Sequence, residues 1–159
     1  DKYSKYDFIY VASFGPHKNH RNLVLAWVNL KNQGIKPSLL LTCSLDYECQ
    51  KLIEEYELNI DCYNELSRAD VFELYSKVKA LIYPSMFESL GLPLLEAKEL
   101  GLDIVASELD FVRDIVTPIE TFNPHSPISI TRAVKRYLNI SDSLMLPVPT
   151  MDFVNTVII

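Results

Sequence analysis

Short apolar runs alternate along the chain with longer segments in which apolar residues recur every three or four positions. Runs rich in β-branched and aromatic residues predict buried strands, whereas the longer repeat predicts helices packed on a sheet. The predicted strands are Phe8–Ser13, Ser38–Cys43, Leu58–Tyr63, Ala80–Tyr83, Ile104–Ala106 and a short edge strand, Ile119–Phe122. The predicted helices are a first one capped by Asn19 and ended by Gly34, then Leu45–Tyr56, Ser67–Lys77 with Ser67 as its N-cap, Leu92–Leu100, Leu109–Val116 and Pro127–Leu138.

Strands separated by helices predict right-handed βαβ units and therefore an α/β fold. We expect a Rossmann-like three-layer sandwich with a mostly parallel sheet, formed by residues 1–138 as one domain. Ligands of such sheets bind at the carboxyl ends of the strands, so the loops that follow the strands are the expected location of a site. Residues 139–159 are predicted to be a linker and a partial C-terminal helix, with the linker at Ser141–Thr150 and the helix at Met151–Ile159.

The composition narrows the classes of function. A chain of 159 residues, 48% of them apolar, is long enough to bury a core of its own. A formal net charge of −6 argues against a nucleic-acid partner. No apolar run reaches membrane-spanning length, and no signal-peptide pattern opens the chain. An odd number of cysteines without metal-ligand spacing predicts free, buried thiols in a reducing compartment, at Cys43, Cys49 and Cys62.

The most informative segment is Tyr83–Ser107, in which an apolar strand, a polar loop, a helix start and a second apolar strand follow one another. Glu88 and Glu96 flank the turn from the loop into the helix. A helix N-terminus attracts phosphate, and carboxylates accept hydrogen bonds from hydroxyl groups. A ligand with phosphate in the middle and hydroxyl-rich rings on both sides suits this arrangement, and a nucleotide sugar is such a ligand.

Three blocks of the chain resemble one family. The block PSMFESLGLPLLEA is similar to the pattern P-S-x-x-E-[GS]-F-G-L-P-x-L-E-A of the retaining glycosyltransferases of the GT4 type, and departs from it mainly at Leu90, where an aromatic residue is common. The block YVASFGPHKN, Tyr10 to Asn19, resembles YVGRLSPEKN, and TFNP, Thr121 to Pro124, resembles YFDP. The resemblance extends from about residue 8 to 138, in family order, and implies one half of an enzyme with the GT-B fold.

The resemblance also implies roles for individual residues. In that family the second glutamate, here Glu96, binds both ribose hydroxyls, and the first, here Glu88, contacts the transferred sugar. Backbone N–H groups from Ser89, Leu90, Gly91 and Leu92 would approach the sugar and the diphosphate, with Gly91 permitting a close approach because it lacks a side chain.

The first loop supplies the expected cation. Lys18 falls on the family lysine that grips the departing diphosphate, which makes Lys18 and Glu88 the predicted catalytic residues. Ser13 stands where an arginine is common, so half of the cationic clamp is missing, and His17 and Arg21 are substitutes of lower rank. Ser13 and Gly15 are also counted among the predicted substrate-binding residues.

The base is expected against the loop after the third strand, at Tyr63, Asn64 and Glu65, through backbone more than side chain. Tyr63 is equally consistent with an aromatic that packs at the sheet edge. The turn after the second strand usually holds glycine but is Thr42-Cys43-Ser44 here, so the pocket is expected to be narrower and the base is not assigned. Surface or capping roles are expected for His20 and His125. Trp27 is expected in the core.

Several motifs are missing from the sequence. Without an Asp-x-Asp pair, a metal held by carboxylates is not expected, and no cofactor is predicted. The loop VASFGP is a poor dinucleotide loop, and no nucleophile elbow occurs. A nucleotide-sugar epimerase, a phosphorylase-like enzyme and a non-catalytic module that binds nucleotide sugars remain alternatives. A receiver-like signalling domain is disfavoured, because Ser13-Phe14-Gly15 follows the first strand where that fold needs acidic residues.

The resemblance implies a two-domain enzyme, with an acceptor-binding N-terminal domain ahead of this one. Such an enzyme transfers a hexose from a nucleoside diphosphate sugar to a hydroxyl acceptor with retention, in polysaccharide or glycolipid biosynthesis. We expect a cytoplasmic protein, at most peripheral at the inner face of the membrane through the missing domain. The chain starts at Asp1, so we expect a piece of a longer protein, inactive or weakly active alone.

Overall fold

A computed structural model describes residue 3 and residues 5–141, in which six strands alternate with six α-helices. The strands are β1 (Tyr6–Tyr10), β2 (Leu39–Leu41), β3 (Ile60–Cys62), β4 (Val78–Tyr83), β5 (Asp103–Ser107) and β6 (Glu120–Phe122). The helices are α1 (His20–Asn32), α2 (Tyr47–Glu55), α3 (Arg68–Tyr75), α4 (Leu92–Glu99), α5 (Asp110–Arg113) and α6 (Pro127–Tyr137), and a short 3-10 helix (Pro16–Lys18) precedes α1.

The strands form one parallel sheet in the order β3-β2-β1-β4-β5-β6. The chain moves outward from β1 to β3, returns to the centre through α3, and then moves outward again from β4 to β6. The strand order therefore reverses between β1 and β4, and in sheets of this kind ligands bind in the crevice outside the carboxyl ends of the strands at such a point. The predicted Rossmann-like α/β fold is confirmed.

The core is built on the two central strands. Phe8, Ile9 and Tyr10 of β1 are fully buried, as are the middle residues of β4, because helices cover both faces of the sheet. Trp27 of α1 is buried as predicted; its ring meets Phe8 edge-on at 5.7 Å, and its Nε1 donates to the Pro37 carbonyl at 2.9 Å. These contacts anchor α1 and thereby the loop that precedes it.

Several strands and helices end at residues other than those predicted. β1 ends at Tyr10 rather than Ser13, because the Ala12 N–H donates to Thr42 Oγ1 at 3.1 Å instead of to a strand carbonyl. β2 and β3 are three residues each, shorter than predicted, and α5 ends at Arg113 rather than Val116. The carboxyl edge is therefore made of loops held by side chains, which is where a ligand would approach.

Three side chains differ from expectation. His20 is buried rather than a surface or capping residue, whereas His125 is exposed as predicted. Cys43 and Cys49 are free and buried as predicted, but Cys62 is free and exposed. Asn19 occupies the cap position of α1 without capping it, because its side chain is engaged elsewhere.

Among the described residues, no helix has both the length and the apolar character to cross a bilayer. Residues 142–159 lie outside the described part of the chain; they contain most of the predicted linker and the predicted last helix, Met151–Ile159.

Candidate functional site

Asn19 ties together three loops at the carboxyl edge of the sheet. Its Nδ2 donates to the carbonyls of Pro84 at 2.9 Å and Pro124 at 2.7 Å, and the side chain is buried. A further bond runs from the Met86 N–H to the His17 carbonyl at 2.9 Å. Asn19 has a left-handed backbone with φ 66°, which asparagine tolerates better than most residues. The three blocks singled out in the sequence therefore meet around one side chain.

The two predicted catalytic residues are in direct contact. Lys18 Nζ lies 2.5 Å from Glu88 Oε1, although the residues are 70 positions apart in the chain. Their side chains are 25% and 14% exposed, so the pair is partly shielded from water yet open on one side. Ser85 Oγ also donates to Glu88 Oε1, at 3.1 Å. An ammonium and a carboxylate thus converge at the crevice between the loops after β1 and β4.

Glu96 is held by a different set of partners. It is 8% exposed, one turn into α4, and its two carboxylate oxygens face α3. The Tyr75 hydroxyl donates to Oε1 at 3.3 Å, and Arg68 Nη2 lies 3.0 Å from Oε2. The Arg68 guanidinium also sits over the Phe72 ring, 5.1 Å from its centre. A buried carboxylate needs such partners to remain ionised.

Glu88 and Glu96 therefore lie at different places along the carboxyl edge of the sheet. Glu88 faces the loop after β1, whereas Glu96 faces α3 and the loop after β3, and each contacts one cation. Burial and then the charge of Glu96 raise the pKa of Tyr75 well above its usual range, so this hydroxyl stays protonated as a donor to the carboxylate.

Packing within the domain gives a reason for a glycine at position 91 besides the predicted approach of a ligand. Gly91 is buried at the start of α4 with φ 59°, and an added Cβ would lie 2.7 Å from Ile115 Cδ1. Packing inside the domain is therefore sufficient reason for a glycine at this position, and the close approach of a ligand stays a prediction. The neighbouring positions Ser89, Leu90 and Leu92 are exposed at the mouth of the loop, as a ligand-facing segment would be.

The loop after β3 is built on packed side chains. The Tyr63 ring lies 5.6 Å from the Tyr3 ring, and its hydroxyl is 3.3 Å from that of Tyr6, so the side chain takes the edge-packing role left open by the sequence. Asn64 Nδ2 donates to Ser44 Oγ, and Glu65 has a left-handed backbone with φ 55°. Asn64 and Glu65 are exposed, and the contact of this loop with a base stays a prediction.

His20 connects the loops after β1 and β2, and the narrower pocket expected at this turn stays a prediction. Cys43 Sγ lies 3.4 Å from His20 Nε2, and the His20 ring packs between Tyr10 and Phe14. Burial, followed by the charge of Lys18, lowers the pKa of His20 to about 4, so its imidazole is neutral near neutral pH. His20 Nδ1 has no hydrogen-bond partner in the described part of the chain.

The lower-ranked cations are engaged outside the Lys18–Glu88 pair. Arg21 pairs with Glu48 of α2, and the His17 ring lies 5.9 Å from Phe87. Ser13 and Gly15 remain in the loop after β1, with Ser13 exposed. Across residue 3 and residues 5–141, no group of three or more metal-ligating side chains comes together.

Four residues near the site were not singled out from the sequence: Tyr10, Ser85, Arg68 and Tyr75. Arg68 did carry a signal, because a positive charge in the first turn of a helix is unfavourable and therefore calls for a partner such as Glu96. Ser85 and Tyr10 lie inside the blocks that were recognised, but a hydroxyl at a strand end has no periodic pattern. Their partners could be found only from the structure.

Residues 2–145 match the model of the family described as glycosyl transferases group 1. The chain belongs to this family. The predicted resemblance to glycosyltransferases of the GT4 type is thereby confirmed.

Relatives support the same assignment. The chain is 29% identical over 138 residues to the serotype-specific mannosyltransferase WbdA of Escherichia coli, covering 82% of this chain and 17% of that protein. It is 27% identical over 143 residues to the O-antigen chain mannosyltransferase RfbU of Salmonella typhimurium, covering 86% of this chain and 40% of that protein. The chain therefore spans less than half the length of these relatives.

Solved structures share the fold. The lipopolysaccharide outer core galactosyltransferase WaaB, in its apo form, superposes with a TM-score of 0.69 at 21% identity, covering 87% of this chain and 42% of that one. Sucrose-phosphate synthase from Thermosynechococcus elongatus superposes with a TM-score of 0.71 at 21% identity, covering 84% of this chain and 36% of that one. The chain thus corresponds in fold to one part of each of these longer proteins.

Proposed function

We propose that this chain is the donor-binding half of a retaining hexosyltransferase, which takes a hexose from a nucleoside diphosphate sugar and transfers it to a hydroxyl acceptor. The observation that carries the proposal is the contact between Lys18 and Glu88 at the point where the strand order reverses. An ammonium suited to a diphosphate and a carboxylate suited to sugar hydroxyls lie side by side in the crevice where ligands of this fold bind.

Lys18 and the N-terminus of α4 would act on the diphosphate. Negative charge develops on the departing diphosphate in the transition state, so a cation fixed at that place lowers the barrier more than it strengthens ground-state binding. The Lys18 ammonium has three donors and its contact with Glu88 uses one, which leaves donors for phosphate oxygens. The backbone N–H groups at the start of α4 add partial positive charge. No metal is given a role in this reaction.

Glu96 would bind the ribose. An ionised carboxylate offers about four lone-pair sites; the hydrogen bond from Tyr75 occupies one of them and the ion pair with Arg68 lies against another. The remaining two suit a cis-diol. The base would then lie toward the backbone of residues 63–65, on the α3 side of Glu96, whereas the hexose would lie toward Glu88.

The relatives favour a hexose and an acceptor in cell-surface polysaccharide. Two of them are named as mannosyltransferases, one of these for the O-antigen chain. We infer that an acceptor-binding domain precedes this one in the full protein and closes the other side of the crevice. Free cysteines fit a cytoplasmic location, and any association with a membrane would be made through that other domain.

A second candidate, a module that binds a nucleotide sugar without transferring it, is favoured by one observation. Ser13 lies where an arginine is common in the family, and among the described residues neither His17 nor Arg21 joins the Lys18–Glu88 pair. An assay of hexose transfer by the full-length protein, unchanged and as Ser13→Arg, distinguishes the two. An enzyme already competent with serine transfers hexose before the substitution, whereas a binding module transfers none.

A thermal-shift screen of UDP-, GDP- and ADP-hexoses tests the donor site directly. A ligand at 100 times its dissociation constant stabilises the folded state by about 2.7 kcal/mol. For a domain of this size that corresponds to a rise in melting temperature of about 5–10 °C. The Lys18→Ala and Glu96→Ala variants serve as controls that should lose the rise. Failure of every nucleotide sugar to raise the melting temperature at millimolar concentration would refute the proposal.

A further inference from the structure

Two buried hydroxyls lie directly beneath the Lys18–Glu88 pair. Tyr10 is the last residue of β1, Ser85 follows β4 by two positions, and both are fully buried. The Tyr10 hydroxyl donates to the Lys18 carbonyl at 2.8 Å and lies 2.5 Å from Ser85 Oγ. Ser85 Oγ in turn donates to Glu88 Oε1 at 3.1 Å. These contacts connect the backbone of Lys18 with the carboxylate that its own ammonium contacts.

The result is a closed ring of contacts. It runs from the Lys18 carbonyl through Tyr10 and Ser85 to Glu88, and returns to Lys18 through its ammonium. The Lys18 carbonyl and the Glu88 carboxylate can only accept hydrogen bonds. The hydroxyls of Tyr10 and Ser85 therefore have two protons for three contacts, and one proton is shared between two acceptors. Removal of the Tyr10 hydroxyl takes a donor from the Lys18 carbonyl, and removal of the Ser85 hydroxyl leaves Glu88 Oε1 with Lys18 as its partner in the ring, so either change loosens the geometry of the pair.

The surroundings hold these hydroxyls in place. The Tyr10 ring meets the Tyr83 ring edge-on at 5.6 Å and packs against His20 at 5.0 Å. The Ser85 carbonyl accepts a bond from Ser107 Oγ at 2.9 Å. Burial raises the pKa of Tyr10 well above its ordinary value, so its hydroxyl remains a donor throughout the working pH range. By contrast, Lys18 lies in a 3-10 helix of three residues, none of which is buried.

We infer that Tyr10 and Ser85 are positioning residues of the donor site, which set the spacing between the ammonium of Lys18 and the carboxylate of Glu88. Tyr10 fixes the loop that carries Lys18, and Ser85 fixes the Glu88 carboxylate. Both roles rest on the donor site proposed above. The affinity for the diphosphate should depend on Tyr10, because Lys18 would contact the diphosphate. The affinity for the hexose should depend on Ser85, because Glu88 would contact the hexose.

Titration calorimetry of the Tyr10→Phe and Ser85→Ala variants of this chain tests the inference. The probes are a nucleoside, its diphosphate and its diphosphate hexose, in whichever of the uridine, guanosine or adenosine series the unchanged chain binds most tightly. Tyr10→Phe should lower the affinity ratio of diphosphate to nucleoside by about three- to tenfold, and Ser85→Ala should lower the ratio of diphosphate hexose to diphosphate by a similar factor. Affinity for the bare nucleoside should not change.

Matched controls come from the opposite edge of the sheet. Tyr137→Phe removes a hydroxyl that donates to Asp103 Oδ2 at 2.8 Å, and Ser38→Ala removes one that contacts Asp7 Oδ2 at 3.2 Å. Both controls should leave the two affinity ratios unchanged while the melting temperature is recorded for every variant. A structural role of Tyr10 and Ser85 would lower the melting temperature without changing either ratio.

The outcomes distinguish failure of the donor site from failure of the positioning roles of Tyr10 and Ser85. If the unchanged chain binds none of the probes, the donor site and the positioning roles both fall. If it binds them and both ratios survive in Tyr10→Phe and Ser85→Ala, the positioning roles are refuted and the donor site stands. If Tyr10→Phe fails to fold, Ser85→Ala decides through the ratio of diphosphate hexose to diphosphate.

Discussion

Replacing Gly91→Ala tests whether the glycine of the glutamate loop serves packing or ligand binding. The added Cβ would lie 2.7 Å from Ile115 Cδ1, and the residue has φ 59° at the start of α4. Two costs therefore combine at one position: a left-handed backbone for a residue with a side chain, and a clash with a half-buried isoleucine. Ligand binding enters neither cost.

The expected loss of stability follows from these contacts. The left-handed conformation costs alanine about 1–2 kcal/mol, and forcing an extra carbon into a packed site costs about 1–3 kcal/mol. The smaller conformational freedom of the unfolded chain returns about 0.4–1 kcal/mol. Because Ile115 Cδ1 is the end of a side chain that can turn aside, we expect a net loss of about 1–4 kcal/mol in the free energy of unfolding.

Urea unfolding monitored by circular dichroism provides the measurement, and the chain contains its own controls. Gly34 and Gly101 have φ of 77° and 68°, with nothing within 4 Å of an added Cβ, so Gly34→Ala and Gly101→Ala carry only the backbone cost. The Ile115→Val substitution removes the clashing atom. In the Gly91→Ala background it should restore about 1 kcal/mol or more, although alone it costs about 0.5–1.5 kcal/mol.

Two results would refute the packing explanation. One is a Gly91→Ala loss no larger than that of Gly34→Ala, with no recovery from Ile115→Val. The other is a double variant, Gly91→Ala with Ile115→Val, that is folded and stable but no longer binds a nucleoside diphosphate. The second result would restore the role predicted from the sequence, close approach of a ligand to the α-carbon.

Three further predictions address the charged groups of the site. Glu96→Ala should weaken nucleotide binding by about 1–3 kcal/mol in calorimetry, the scale of lost charge-assisted hydrogen bonds, and unchanged affinity would exclude a ribose contact. Lys18→Ala should weaken a nucleoside diphosphate much more than the bare nucleoside, so equal losses would argue against phosphate contact. The folded-state pKa of His20 is about 4, below the value of about 6.5 in an unfolded chain. The contribution of its neutral imidazole to the stability of the folded state is therefore complete above about pH 7 and is lost as the pH falls from about 6.5 toward 4. His20→Gln should therefore remove up to about 3 kcal/mol of the acid-induced loss of stability, whereas an unchanged pH profile in urea unfolding would contradict the buried neutral imidazole.

The order of the elements could be predicted because each strand and helix carries its own periodic pattern. The sequence also marked Ser67 as an N-cap, and the structure shows Ser67 and Asp70 in a reciprocal capping box. The end of β1 could not be predicted, since the apolar run continues through Val11 and Ala12. The strand stops where Thr42 replaces a strand carbonyl as the partner of Ala12, and that partner lies on another loop.

The site residues show the same division. Lys18, Glu88 and Glu96 could be singled out because they lie in blocks with a recognisable local pattern. The partners of Glu96 could not, because Arg68 and Tyr75 sit on a helix from a different βαβ unit. The burial of His20 was also missed, since a single histidine at a helix start has no pattern that distinguishes a surface position from a position under the Phe14 ring.

The sequence alone determined the alternation of elements, the parallel sheet they imply and the family to which the three blocks point. Those features depend on local periodicity and on short motifs. Only the tertiary structure decided that Lys18 meets Glu88, that Tyr10 and Ser85 lie beneath them, and that Gly91 packs on Ile115. Each of these contacts joins separate segments of the chain, and it forms because β1 and β4 are neighbours in the sheet or because the segment after α5 packs on the start of α4. Strand order and helix packing are properties of the whole fold, which no local pattern records.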